Sequence, residues 1–337
     1  MFEYTLDNTR YHTLNYFYKN KFGIKVFKVS LNGGFSCPNL DGTLGYGGCI
    51  YCSKSGSGEF GGDIHKSLTE QFMEIKEVVN KRHIPCKYIG YFQARTNTYA
   101  PVDVLRKKYE EVLKIDDVIG LNIATRCDAI SDECLDYLEE LNKRTFLTIE
   151  LGLQTIHKKT TEIINRCHTL DEFDEMVKKL RERNINVLVH IINGLPFESE
   201  EMMLDTVRHL NKLDIQGIKI HMLHIIKDTE MARLYEKTKF HILSKEEYID
   251  IVIKQLELLN PKIVINRITS DPDKDLLVEP KWLCDKCQLL NDIDKEMKKR
   301  NTYQGIKQWY VFLIGISGHN VSFFFTKIIF FNIWDDN

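Results

Sequence analysis

Short apolar runs alternate with longer amphipathic ones between about residue 24 and residue 267. The runs 25–31, 88–92, 118–125, 146–153, 186–192 and 217–223 are rich in Ile, Val and aromatic residues. Such near-continuous apolarity is what strands buried on both faces need. Between them, 66–82, 102–114, 131–143, 169–183 and 198–213 carry the spacing of amphipathic helices. Two of these open on a capping residue: Ser131 precedes Glu133 and Cys134, and Thr169 precedes Asp171 and Glu172. Six strand–helix units in series predict a parallel sheet. Right-handed crossovers would curl it into an open barrel. The expected fold class is α/β, a partial (β/α)6 barrel. A helix over 245–259, a short strand over 262–267 and a helix near 282–300 predict a C-terminal helical and strand extension. The expected organisation is an N-terminal segment 1–23, a core barrel 24–240, an extension 241–308 closing the barrel, and an atypical aromatic tail 309–337.

The tail reads WYVFLIGISGHNVSFFFTKIIFFNIW over 309–334. Its length just suffices for a membrane span, but Ser317-Gly318-His319-Asn320 interrupts it and Lys327 lies within it. A β-hairpin turning at Gly-His-Asn, a membrane segment and a non-native terminus are the three readings; no membrane partner is expected. Composition narrows the picture further. Apolar residues make up 43% of the 337, ample for a buried core. The net charge of −2 lacks the basic excess of a dedicated nucleic-acid surface, although a local patch can still bind RNA. Tyr11, His12, Tyr16, Tyr18, Lys19, Lys21 and Lys25 form one aromatic-basic cluster of that kind, or else a partly packed N-terminal segment. The first residues hold no signal-peptide run. Nine cysteines without such a signal point to a reducing, cytoplasmic compartment and to metal or catalytic roles rather than disulfides.

The strongest chemical signal follows the first predicted strand: Cys37-Pro-Asn-Leu-Asp-Gly-Thr-Leu-Gly-Tyr-Gly-Gly-Cys49-Ile-Tyr-Cys52. Ten of the 19 glycines lie between Gly33 and Gly62. Glycine lets backbone pass close to a ligand and take positive φ. In β/α barrels the chemistry sits at the C-terminal strand ends, where this loop falls. Three thiolates can hold three irons of a cubane cluster and leave the fourth open. The alternatives are structural zinc with a fourth ligand such as His65, and three incidental buried cysteines. Only one CxxC lies here, whereas zinc sites commonly pair two short spacings.

Around this loop the sequence resembles the YhcC-type bacterial radical S-adenosylmethionine (SAM) family, itself similar to the elongator catalytic-subunit branch of that superfamily. The matching blocks are RYHTLNYFYKNKFGIKVFKVSL (10–31), YFQARTNTYAP (91–101), ATRCD (124–128), ELGLQT (150–155), HIINGLP (190–196), GIKIHMLHIIKDTEMARLY (217–235), RITSDPDKDLLVEPKW (267–282) and LLNDI (289–293). They cover roughly residues 9 to 308. Eleven residues separate the first two loop cysteines, the longer gap typical of this group rather than CxxxCxxC. Cys127 stands where the group usually has proline, and the tail after Gln308 has no counterpart. The resemblance implies a TIM-like radical SAM barrel, a [4Fe–4S] cluster on Cys37, Cys49 and Cys52, and reductive cleavage of SAM to a 5′-deoxyadenosyl radical. It also implies an electron donor such as flavodoxin or ferredoxin. The elongator likeness suggests tRNA wobble-uridine modification. The competing class is a non-catalytic iron–sulfur or zinc sensor.

The resemblance also marks SAM contacts. Tyr51, between the last two cysteines, is the aromatic expected against adenine. Gln93, Thr96, Asn97 and Thr98 follow the second strand, where the superfamily binds the SAM amino group. Glu150 and Gln154 end the fourth strand and suit the ribose hydroxyls or amino group. Gly194, in Asn193-Gly194-Leu195-Pro196, matches the adenine-cradling turn. His190, His221 and His224 are substrate contacts or hydrogen-bonded core histidines. Cys284-Asp-Lys-Cys287 is a second CxxC whose two thiols cannot complete a metal site alone. Cys86, Cys134 and Cys167 read as packing residues.

Overall fold

The computed structural model describes residues 2–308 except 54, 55, 57–60, 82 and 83. The strands are β1 (Lys25–Asn32), β2 (Cys86–Gln93), β3 (Val118–Thr125), β4 (Phe146–Gln154), β5 (Asn186–Asn193), β6 (Gly217–Met222), β7 (Ile225–Ile226), β8 (Val264–Arg267) and β9 (Leu277–Glu279). The helices are α1 (Leu14–Phe22), α2 (Leu68–Asn80), α3 (Val102–Leu113), α4 (Asp132–Asn142), α5 (Lys158–Ile163), α6 (Leu170–Glu182), α7 (Glu200–Leu210), α8 (Glu230–Thr238), α9 (Lys245–Leu258) and α10 (Lys286–Lys299). Local chemistry sets several starts. Ser67 with Glu70, Thr169 with Glu172 and Ser244 with Glu247 form complete capping boxes on α2, α6 and α9.

Seven strands form one curled parallel sheet in the order β1-β2-β3-β4-β5-β6-β8. The sequence led us to expect six barrel strands and an extension closing the barrel. The short strand of that extension does so as a seventh strand of the sheet: Val264 and Ile265 pair with Gly217 and Ile218 of β6. Helices α8 and α9 supply a crossover long enough for a parallel partner. β7 and β9 form a small antiparallel pair of their own.

The two faces of the sheet differ in chemistry. Val29, Leu31, Leu121, Ile123, Leu147, Ile149, Leu151, Val187, Val189, Ile218 and Ile220 belong to one large apolar cluster with the helices. The alternate positions hold Lys28, Tyr91, Asn122, Glu150, His190 and Lys219, which meet one another as described below. These strands are therefore apolar on the helix side and polar inside the curl, not apolar on both faces.

Helix α1 was not expected. Thr13 caps its start and Gly23, at φ 67°, its end. Tyr18, Phe17 and Phe22 pack with Val26, Ile89 and Phe146 against the N-terminal ends of the strands. The aromatic members of the N-terminal patch are thus packing groups; Tyr18 and His12 are buried, and Lys25 bonds Asn15 at 2.7 Å. The segment before α1 is tied to the far edge of the sheet, where the Ile265 amide donates to the His12 carbonyl at 2.8 Å. Gln304, buried, accepts from the His12 amide (2.8 Å), donates through its own amide to the Arg10 carbonyl (2.9 Å), and bonds the Asn260 and Ile263 carbonyls. The aromatic tail 309–337 lies outside the described residues. Among the described residues no helix is long and apolar enough to cross a membrane.

Candidate functional site

The cysteine loop leaves the C-terminal end of β1 and is pinned from several directions. The Cys37 carbonyl accepts from the Leu40 and Asp41 amides, closing a tight turn. Asn39, fully buried, is the hub. Its Nδ2 donates to the Asn165 carbonyl (2.6 Å) and to Cys49 Sγ (3.5 Å), its carbonyl accepts from the Gly48 amide (2.8 Å), and its Oδ1 accepts from the Cys167 thiol (2.8 Å). Gly45 must be glycine because a Cβ there would lie 2.3 Å from Asn39 Oδ1. Ile50 is held at both backbone groups, donating to Ile164 after α5 and accepting from Met231 of α8. Ile50 and Tyr51 also pack on a second apolar cluster of Ile164, Leu195, Leu223, Ile225 and Met231. Cys167 is therefore an exposed thiol beside this loop and not a packing residue.

All three loop cysteines are free thiols. The Cys52 thiol hydrogen-bonds Cys49 and, with the nearby Arg126 guanidinium, draws the Cys49 thiol down to about 6 against the effect of burial. Burial and the two thiols push the Tyr51 hydroxyl well above its ordinary value. Arg126 is fixed by a two-pronged bond to Asp128 (2.8 and 2.6 Å) and a bond to the Arg166 carbonyl (2.8 Å). Among the described residues no three His, Cys, Asp or Glu side chains converge as a single ion would require. A lone zinc needs four ligands within about 2.0–2.3 Å, whereas a cubane takes one thiolate at each of three separate irons. Three thiols are the donor type that such a cluster takes.

Sequence reasoning missed Arg126 and Arg166. Arg166, buried after α5, donates to the Leu153, Thr155 and His168 carbonyls and so closes the C-terminal end of β4. His168 bonds the Gly152 carbonyl (3.1 Å), and burial with Arg166 lowers its imidazole to about 4. Nothing local in the sequence marked Arg166; the structure shows it buried between Asn165 and Cys167, both at positive φ.

The SAM-side candidates line the adjacent strand ends. Gln93 closes β2 opposite Asn32. The Thr96 amide donates to the Ser36 carbonyl (3.2 Å), joining this turn to the cysteine loop. Asn97 Nδ2 bonds the Ala94 and Ala124 carbonyls; its buried Oδ1 has no hydrogen-bond partner among the described residues. Thr98 bonds Thr125 (2.5 Å) and the Ala129 carbonyl (2.6 Å). Gln154 ends β4 at φ 66°, and Gly194 follows β5 at φ 80°. A Cβ on Gly194 would stand 3.1 Å from Met222 and 3.3 Å from Leu243. Asn193, just before it, forms a reciprocal amide pair with Gln255 of α9 (2.8 and 2.9 Å).

Glu150 departs from its expected place at the barrel mouth. It is buried in mid-strand with both oxygens occupied. Oε1 accepts from Lys28 (3.1 Å) and Asn122 (2.6 Å); Oε2 accepts from Lys219 (2.5 Å) and His190 (2.8 Å). Burial alone would raise its pKa, but Lys219 and Lys28 hold it well below the usual carboxylate range. Lys219 also bonds the Tyr91 hydroxyl (3.0 Å) and sits 4.3 Å from that ring's centre. His190 is one wall of this layer, and His221 lies 5.3 Å from it, ring to ring.

Comparison with known proteins follows the same lines. The Radical SAM superfamily model matches residues 46–210, and the Radical_SAM C-terminal domain model matches 215–299. The protein YtqA of Bacillus subtilis is 50% identical over 304 residues, 90% of this chain and 94% of that one. Protein YhcC of Escherichia coli is 33% identical over 280 residues, 83% of this chain and 89% of that one. Among solved structures, an N-terminally truncated Elp3 of the archaeon Methanocaldococcus infernus overlays with a TM-score of 0.64 at 19% identity. It covers 83% of this chain, which spans 65% of the archaeal one.

Proposed function

Since the chain belongs to the YhcC-type branch of the radical SAM superfamily, we propose that it holds a [4Fe–4S] cluster on Cys37, Cys49 and Cys52 and cleaves SAM reductively. The observation that carries this reading is the loop itself: three free thiols anchored through Asn39 and Ile50 at the C-terminal strand ends, with Arg126 beside Cys49. Bound there, the cluster would supply the electron that breaks SAM into methionine and a 5′-deoxyadenosyl radical, which abstracts a substrate hydrogen.

The protein's own groups bind and orient. Asn39 donates to a ligand sulfur, and such hydrogen bonds tune a cluster's potential. The unpartnered Asn97 Oδ1 can accept from the SAM amino group, and Gln93 and Thr96 stand on the same turn. Gln154 can serve the ribose, and the backbone at Gly194 the adenine, with Tyr51 packed on the cluster that holds the neighbouring Leu195. Glu150, its oxygens already filled, acts through His190 rather than on SAM directly. The apolar cluster around Ile50, Leu195 and Leu223 keeps water from the reacting atoms. A flavodoxin or ferredoxin would deliver the electron in the cytoplasm. The sequence likeness to the elongator branch supports a tRNA uridine as substrate, an argument by analogy.

The test is anaerobic reconstitution followed by dithionite and SAM. Formation of 5′-deoxyadenosine, with iron and a brown chromophore, is the expected result. Cys52→Ala should abolish both. A colourless protein holding zinc at these sulfurs would overturn the reading. Modified nucleosides in tRNA from deletion and wild-type cells test the substrate; identical profiles would dismiss tRNA.

A further inference from the structure

The polar layer inside the curl is unbalanced. Lys28 of β1 and Lys219 of β6 both reach a single carboxylate, Glu150 of β4. Among the described residues no second carboxylate bonds either lysine. Burial and the cations hold His190 of β5 neutral, at about 4. Burial and His190 keep His221 of β6 neutral as well, with His224 close by. Burial keeps the Tyr91 hydroxyl of β2 protonated. Arg267 of β8 adds another cation, and its partner Asp271 (3.1 Å) is shared with Lys286 (2.8 Å). A buried cation without a counter-charge is costly. The surplus is relieved only if a lysine loses its proton or an anion enters.

The geometry favours an anion. An ammonium has three N–H donors. Lys219 spends two, on Glu150 and Tyr91, and Lys28 two, on Glu150 and Asn266. Among the described residues one donor on each remains. The next alternate positions toward the C-terminal strand ends include the small residues Ser30 and Ala124, while the side of Gly152 is taken by Gln154, whose Nε2 lies 2.8 Å from a Cβ built there. The side chains of Lys28 and His190 keep 16% and 17% of their surface open, so the layer is reachable.

We propose that the barrel interior receives an anionic oxygen group of the substrate, phosphate or carboxylate, on Lys219 and Lys28 beneath the cysteine loop. The inference rests on the radical SAM reading for its place in the reaction, but the binding itself needs neither cluster nor SAM. Burial lowers Lys219 to about 7, with Glu150 opposing and Lys28 and Arg267 adding to the shift. At pH 8 its ammonium is mostly deprotonated, and an arriving anion restores the charged form. Binding at pH 8 therefore takes up a proton.

Isothermal titration at pH 8, in two buffers of different ionisation enthalpy, reads both events on the full chain. Inorganic phosphate and acetate are the two probes, and the tighter one identifies the group. The expected result is saturable binding with proton uptake, weakened at least tenfold in Lys219→Met. Lys219→Arg should keep binding and lose proton uptake, because arginine stays charged; it also guards against a variant that merely misfolds. Absence of binding, equal binding by Lys219→Met, or equal heats in the two buffers would each overturn the proposal. Formation of 5′-deoxyadenosine without anion binding would remove this substrate class and leave the SAM chemistry standing. Anion binding without 5′-deoxyadenosine would do the reverse.

Discussion

Replacing Glu150 by glutamine tests whether this carboxylate is the electrostatic keystone of the barrel. The substitution keeps the shape and removes one charge. Lys28 and Lys219 then face each other across a buried layer with no acid between them. Removing one partner of a buried ion pair typically costs about 3–5 kcal/mol, because the other charge is left uncompensated. Here two cations are stranded, although Lys219 can shed its proton and limit the loss. We therefore expect about 3–5 kcal/mol, a large share of a domain's usual ~5–15 kcal/mol. With a urea slope of about 2–3 kcal/mol/M, the unfolding midpoint would fall by roughly 1–2 M. Lys219→Met should behave oppositely. It removes a surplus cation and leaves Glu150 paired with Lys28, so the change should be within about 1 kcal/mol or stabilising. Adding Lys219→Met to Glu150→Gln should recover part of the loss, since contacting residues couple by about 0.5–3 kcal/mol. Urea denaturation of the four proteins under reducing, anaerobic conditions measures all of this. A Glu150→Gln midpoint within about 0.3 M of wild type would refute the account.

Three further outcomes follow from the same structure. Lys219 titrates near 7 when folded and near 10.4 when unfolded, so the unfolded chain binds more protons between those values and stability should rise from about pH 7 to 9; the rise should vanish in Lys219→Met, and a wild-type midpoint that falls over this range would contradict it. Gly194→Ala places a Cβ at φ 80° and 3.1 Å from Met222, which should cost about 1–2 kcal/mol and weaken SAM retention in equilibrium dialysis. Asn39→Leu strips the amide from Cys49 and from the Asn165 carbonyl, a loss of about 1–3 kcal/mol, and should lower iron retained per chain after desalting; full iron loading would show that the hub is dispensable.

Much of the sheet could be read from the chain. The Ile- and Val-rich runs fell within two residues of the observed strands, because each presents an apolar face to the helices. The cysteine-glycine loop was visible because glycine clustering and thiol spacing are local signals. The interior was harder. Lys28 inside the run KVFKVSLN and Lys219 inside GIKIHM were plain exceptions to an apolar strand, yet their partner Glu150 lies 122 and 69 residues away in sequence. Nothing in a single sequence joins such positions. That is why Glu150 was assigned to the mouth and not to the layer below it. Helix α1 was obscured by its aromatic content: Phe17, Tyr18 and Phe22 resemble a sticky surface until Phe146 and Ile89 are seen to cover them, and Tyr16 until Tyr4 and His12 are. Arg166 was hidden because its partners are backbone carbonyls, which carry no sequence signature.

The clasp formed by Gln304 has a consequence for biosynthesis. Arg10 and His12 are synthesised well before Thr302 and Gln304, which bond them from about 290 residues later in the chain. At ~5–20 residues per second that segment waits tens of seconds undocked during synthesis. Docking of the segment around His12 is therefore a late event in the making of this fold, completed only when Gln304 is free to pair with it.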